Sequence, residues 1–106
     1  MKKPVIFMIL VLLFIAGCTS DNNTPVSSLD VSMSNFAFSP DAIRINVGDA
    51  VTWTNLDNAP HTVTGDNFDS GTLDQGQTYQ HAFVEPGTYE YYCNFHPGMK
   101  GTVIVE

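Results

Sequence analysis

The sequence predicts an all-β domain built as a sandwich of short strands, and three observations carry that reading. Beyond Ser28, apolar residues alternate with polar ones at a period of two. Turn-forming residues interrupt the alternation at short intervals, as Gly48-Asp49 and Glu85-Pro86-Gly87 do. Helical periodicity never lasts longer than one turn.

Taken in chain order, Leu29, Val31 and Met33 alternate with polar neighbours and predict a first strand. Ile43, Ile45 and Val47 predict the next, and Val51 and Trp53, set between Thr52 and Thr54, predict another. Gly48-Asp49 lies between these last two runs and is expected to form a hairpin turn. Tyr79, His81 and Phe83 share one face of a further strand, and Tyr89, Tyr91 and Cys93 one face of the strand after it. Residues 101–106 are rich in β-branched side chains and predict the last strand. Residues 55–60 and 65–76 read as loops. Several short strands at regular spacing argue for a sandwich.

The start of the chain has a different composition. Lys2 and Lys3 precede the wholly apolar run from Val5 to Ile15, and the small residues Ala16 and Gly17 lead into Cys18. That order is the pattern of a secretory signal, and the run falls short of the about 20 residues a membrane span needs. The sequence I-A-G-C resembles a bacterial-type lipobox, which implies cleavage before Cys18 and lipid on its sulfur. Residues 1–17 are thus expected to be a signal peptide and residues 18–28, rich in Ser, Thr, Asn and Asp, a flexible tether. The folded domain is expected over residues 29–106. This leaves fewer than about 80 residues for the core, a size at which a bound metal adds useful stability.

Charge narrows the partners. The formal net charge is −7, and loss of Lys2 and Lys3 takes it to −9. A chain this acidic does not bind nucleic acid, which needs basic groups to offset phosphate. The acidity is expected to keep a small domain soluble, with a basic protein partner as the alternative, and a monomer is expected. There are two cysteines. With Cys18 lipidated, Cys93 is a lone thiol in an oxidising compartment, where a metal bond would protect it. A Cys18–Cys93 disulfide is the alternative, but Cys18 ends a loose tether, where a bridge would constrain little.

Cys93 belongs to the segment YYCNFHPGMKGTVIVE, where it forms a C-x2-H-x2-M spacing with His96 and Met99. His61 follows Pro60 well upstream. Two imidazoles and a thiolate with a weak thioether donor are the ligand set of a blue-copper electron-transfer site. Zinc is the rival, because two His and one Cys also hold zinc with an open position. The thioether of Met99 argues for copper.

The segment from Gly76 to Glu106, with VGDAVTWTN and PHTV upstream, resembles the small cupredoxins, the blue-copper proteins that include the plastocyanin-, amicyanin- and halocyanin-like proteins. The likeness covers most of residues 29–106, and the two-residue gap between His96 and Met99 is similar to that of the amicyanins. The resemblance implies a Greek-key sandwich of about seven or eight strands. It implies one copper held by His61, Cys93, His96 and Met99, cycling between Cu(II) and Cu(I). It implies that Asn55 supports the ligands by hydrogen bonding near the cysteine and joining the two ligand loops. It also implies an apolar docking face around His96, for which Phe95, Pro97, Gly98 and Pro60 are the candidates here. His81 departs from the family pattern, and a buried histidine hydrogen-bonded to a neighbour is expected there.

The function expected from these residues is single-electron transfer between redox proteins, outside the cytoplasmic membrane or in the periplasm, by a lipid-anchored carrier. A copper carrier or storage lipoprotein is the alternative, and a metal-free binding sandwich is a third reading. An enzyme is not expected. Multicopper enzymes place histidines beside the blue-copper cysteine, whereas Tyr92 and Asn94 flank Cys93.

Overall fold

β-Branched and aromatic residues at every second position pair into strands wherever turn residues do not intervene. The computed structural model describes residues 25–106, and nine strands lie within them. They are β1 (Val26–Ser27), β2 (Asp30–Ser34), β3 (Ala37–Ser39), β4 (Ala42–Ile45), β5 (Ala50–Asn55), β6 (Thr64–Gly65), β7 (Thr78–Ala82), β8 (Gly87–Tyr92) and β9 (Lys100–Val105). One sheet has the order β1-β4-β9-β8-β6 and the other β3-β2-β5-β7. Both mix parallel and antiparallel pairs. The expected signal peptide and Cys18 lie outside the described residues. Regular pairing starts at Val26, opposite Ile43, a little before Leu29.

Alternation places one face of each sheet inside. Val31 and Met33 from β2, Val51 and Trp53 from β5, and Val103 and Val105 from β9 are all buried. Trp53 is fully buried and centres an aromatic cluster with Phe68, Tyr79, Phe83 and Tyr91. Tyr91 pairs across the β8–β9 ladder with Gly101. A Cβ at position 101 would overlap the Tyr91 ring, so glycine makes the room. Burial pushes the Tyr91 hydroxyl up to about 12, and the ring stays neutral in its core position.

Two expectations are corrected. Gly48-Asp49 does not close a hairpin, because β4 and β5 lie in different sheets. The turn itself is real: the Asp49 amide bonds to the Asn46 carbonyl at 3.0 Å, and Gly48 adopts φ 95°. A turn signal reports reversal but not which sheet receives the next strand, so a crossover looked like a hairpin. The alternation also stops short of Leu29 and Val47, which are about half exposed. Only β2–β3 and β8–β9 are sequential hairpins within one sheet among the described residues. The β2–β3 turn is made by Asn35 and Phe36 at φ 55° and 57°. That is the left-handed region favoured in tight two-residue hairpins, and a bulky phenylalanine rarely enters it.

Candidate metal centre

One end of the sandwich gathers the C-terminal ends of β5 and β8 with the loops that follow them. Cys93 is the first residue after β8, and its amide donates to the Met99 carbonyl at 3.0 Å. Inside that closed loop the His96 amide reaches the Cys93 carbonyl at 3.2 Å, and the Met99 amide reaches the His96 carbonyl at 2.8 Å. The C-x2-H-x2-M spacing is therefore two consecutive turns, each closed by a bond between residues three apart. This turn pair places Cys93, His96 and Met99 at one end of the β8–β9 hairpin, with Cys93 and Met99 buried.

His61 comes from another loop and is fixed by a short two-way pairing with Leu73, with amide-to-carbonyl bonds of 3.1 and 2.8 Å. Its ring is fully buried. Asn55, at the end of β5, is also fully buried and holds this loop. Its side-chain amide donates to the Ala59 carbonyl at 2.9 Å and the Leu73 carbonyl at 2.8 Å, and its Oδ1 accepts the Asp57 amide at 2.9 Å. Asn55 thus clamps the His61 loop to the strand-like segment beside it. The direct tie to the Cys93 loop is made elsewhere, by Thr62. The Thr62 amide donates to Cys93 Sγ at 3.4 Å, and Thr62 Oγ1 accepts the Asn94 amide at 2.8 Å. No sequence signal marked Thr62. Its neighbour His61 drew attention, but a backbone donor is invisible in a residue pattern.

The three donors converge. Cys93 Sγ lies 3.6 Å from His61 Nδ1 and 3.7 Å from His96 Nδ1, and all three donor atoms fall within 4.8 Å of one another. An ion bonded at about 2.0–2.3 Å to nitrogen and sulfur, with donors roughly 110–120° apart, would hold N and S about 3.5–3.8 Å apart. Both sulfur–nitrogen separations therefore fit a bound metal. The sulfur is buried, and Cys93 is a free cysteine. His61 is aimed by Asp57, whose Oδ2 lies 2.9 Å from His61 Nε2. The carboxylate accepts, so Nε2 carries the hydrogen and Nδ1 presents its lone pair toward the sulfur.

Around the centre the surface is apolar. His96 is half-buried, while Phe95, Pro97, Gly98 and Pro60 are exposed. Phe36, at the β2–β3 tip, is also exposed and was not among the expected docking residues. Its ring stands edge-on to His96 at 4.8 Å and to His61 at 5.3 Å between centroids. The hydrophobic residue was plain in the sequence, but only the hairpin brings it to the histidines.

His81 lies away from this cluster. It is half-buried among Phe68, Tyr79 and Phe83, with centroid distances of 4.8, 6.3 and 4.8 Å. Aromatic contacts surround its ring where a hydrogen-bonded partner was expected.

The sequence model of the cupredoxin-like domain matches residues 5–105. The chain belongs to the cupredoxin family. It is 41% identical over 92 residues to the amicyanin-alpha of Methylorubrum extorquens, covering 77% of this chain and 75% of that one. Among solved structures, a Cu(I) form of an amicyanin variant superposes with a TM-score of 0.71 at 31% identity, covering 79% of this chain and 87% of that one. A purple cupredoxin from Nitrosopumilus maritimus superposes with the same TM-score at 34% identity, covering 74% of this chain and all of that one. The cupredoxin sandwich thus accounts for the fold, and the expected all-β class holds.

Proposed function

We propose that this cupredoxin is a type 1 copper electron-transfer protein, carrying single electrons between redox proteins outside the cytoplasmic membrane. The reading rests above all on the buried Cys93 sulfur, 3.6 and 3.7 Å from two imidazole nitrogens. His61 Nδ1, Cys93 Sγ and His96 Nδ1 are the principal donors, and the Met99 thioether is the weaker one. Copper in this ligand set supplies a Cu(II)/Cu(I) couple and therefore a one-electron step.

The chain's own residues do the rest. The Thr62 amide supports negative charge on the Cys93 sulfur. Asn55, Asp57 and the paired turns of the Cys93 loop hold the donors in one arrangement, so little rearrangement accompanies a change of charge. His96 is the donor nearest solvent and offers the route to the surface. Phe95, Pro97, Gly98 and Pro60, joined by Phe36, form the apolar docking face around it. A small face of this kind suits brief redox encounters, which bury little area. The protein acts as a monomer and is not an enzyme.

The N-terminal arrangement completes the reading. Residues 1–17 are the signal peptide, Cys18 carries lipid, and residues 18–28, apart from the two that form β1, tether the domain to a membrane surface. The mass of the purified chain and the membrane release of Cys18→Ala check this part.

The deciding experiment is a Cu(II) titration of the purified full chain followed by absorption. An intense blue thiolate-to-copper band is expected, bleached by ascorbate, restored by oxidant and lost in Cys93→Ser. A colourless complex, or zinc held in preference to copper, sinks the reading. Copper that binds but passes readily to a weak chelator, without reversible redox chemistry, supports a copper carrier instead.

A further inference from the structure

Asp57 does more than touch a ligand. Its Oδ1 accepts the Asn35 amide at 2.8 Å, and its Oδ2 accepts both the Phe36 amide at 2.9 Å and His61 Nε2–H at 2.9 Å. Its own amide donates to Asn55 Oδ1. One residue therefore joins three parts of the molecule: its carboxylate holds the tip of the β2–β3 hairpin and the remote nitrogen of His61, and its backbone amide holds the end of β5.

We infer that Asp57 is a positioning residue that couples the His61 ring to the Phe36 docking surface. Three observations support it. A carboxylate has no hydrogen to give, so Asp57 fixes the His61 tautomer and ring plane. Asn35 and Phe36 both sit at positive φ, a conformation that is strained for a residue such as phenylalanine and persists only when the surroundings over-determine it. The two amides of that turn are the ones that Asp57 accepts. Finally, the Phe36 ring so placed meets both His61 and His96 edge-on.

The coupling has a direction. With copper held there, the oxidised state would make His61 the stronger donor and tighten its Nε2–H bond to Asp57. Asp57 is shared with the hairpin tip, so the tip is held more firmly in the oxidised state than in the reduced one. By reciprocity, a partner that orders Phe36 favours the oxidised form by the same factor.

This inference rests on His61 being a copper ligand, and its test is built to fail separately from that reading. Asp57→Asn in the full chain keeps the shape but loses the charge and one acceptor. Amide hydrogen exchange is first measured on metal-free protein, where Asn35 and Phe36 should exchange at least about tenfold faster than in the wild type. The copper-loaded variant should then show a Cu(I)-to-Cu(II) affinity ratio raised about tenfold, equal to about 59 mV for one electron. Unchanged amide exchange overturns the inference whatever copper does. Faster exchange with an unchanged potential reduces Asp57 to a hairpin anchor and also overturns it. A shifted potential with unchanged exchange leaves a charge effect only, and the coupling is again overturned. Should the variant fail to fold, the metal-free wild type decides. A slowly exchanging His61 Nε2 proton, close to the Phe36 amide by NMR, is expected, and one exchanging freely with water overturns the coupling.

Discussion

Thr62 and Cys93 lie in different loops, 31 residues apart, and the Thr62 amide donates to the Cys93 sulfur at 3.4 Å. The same residue ties the loops a second time, because Thr62 Oγ1 accepts the Asn94 amide at 2.8 Å. Its hydroxyl hydrogen is then free for Thr64 Oγ1 at 2.9 Å, and the Thr64 hydroxyl in turn donates to Asp69 at 3.2 Å. A backbone donor positions the sulfur, and a side-chain relay holds that backbone.

Thr62→Val separates the two ties. The variant keeps the branched shape and the amide bond to sulfur but leaves the Asn94 amide without its acceptor and Thr64 Oγ1 with Asp69 alone. The expected cost is about 1–3 kcal/mol, read as a lower denaturant midpoint in metal-free protein. The blue colour should survive, because no donor is lost. A midpoint equal to that of the wild type would show that the relay adds nothing to the fold.

Asn55→Ala should be more damaging. Its fully buried amide makes three hydrogen bonds, and truncation strands the Ala59 and Leu73 carbonyls and the Asp57 amide. A loss of about 2–4 kcal/mol follows from leaving buried polar groups unmade. Copper affinity should fall as well, because the freed loop carries His61. Equilibrium unfolding of metal-free protein and competition for Cu(II) measure the two effects. A stability loss under about 1 kcal/mol would mean that the His61–Leu73 pairing holds the loop without Asn55.

These contrasts explain how far the sequence could be read. Period-two burial was legible because Val31, Met33, Val51, Trp53, Val103 and Val105 point inward by the geometry of the strand. The expected donors Cys93, His96 and Met99 are close in sequence, and two tight turns suffice to bring that part of the chain together. Thr62, Asp57 and Phe36 were not legible, because their roles depend on contacts between segments 21 to 60 residues apart. Gly48-Asp49 misled because local turn chemistry is the same for a hairpin and for a crossover. The bulky Phe36 at φ 57° carries no turn signal of its own, since Asp57 and not the local sequence stabilises it.

His81 gives the protein a pH-dependent term away from the metal centre. Burial among Phe68, Tyr79 and Phe83 lowers its affinity for a proton below the ordinary value of 6.5. The unfolded chain therefore takes up this proton first as pH falls. Stability is intact above about 6.5 and declines as pH drops from there through the folded-state value. His81→Phe removes the titrating group and keeps an aromatic ring in the cluster. Its melting temperature should fall less than that of the wild type between about pH 7 and pH 5. Parallel curves for the two proteins over that range would place the acid sensitivity elsewhere.

Phe36 offers a test of the docking face in which folding and function should part. The residue is 52% exposed, yet its ring packs T-shaped against both histidines and its backbone sits at φ 57°. Asparagine tolerates that φ better than phenylalanine does, so Phe36→Asn relieves strain in the turn and keeps the amide that Asp57 accepts. Stability should stay within about 0.5 kcal/mol of the wild type, as for most surface changes. Electron self-exchange between oxidised and reduced copies, measured by NMR line broadening, needs no knowledge of the physiological partner. It brings two apolar faces together, and the Phe36 ring lies 4.8 Å from that of His96 on this face. Loss of about 1.4 kcal/mol of contact energy corresponds to a factor of about ten, so the rate should fall by about that factor. Phe95→Asp, which adds charge to the same face, should slow exchange further. A self-exchange rate unchanged in both variants would move the electron's exit away from His96.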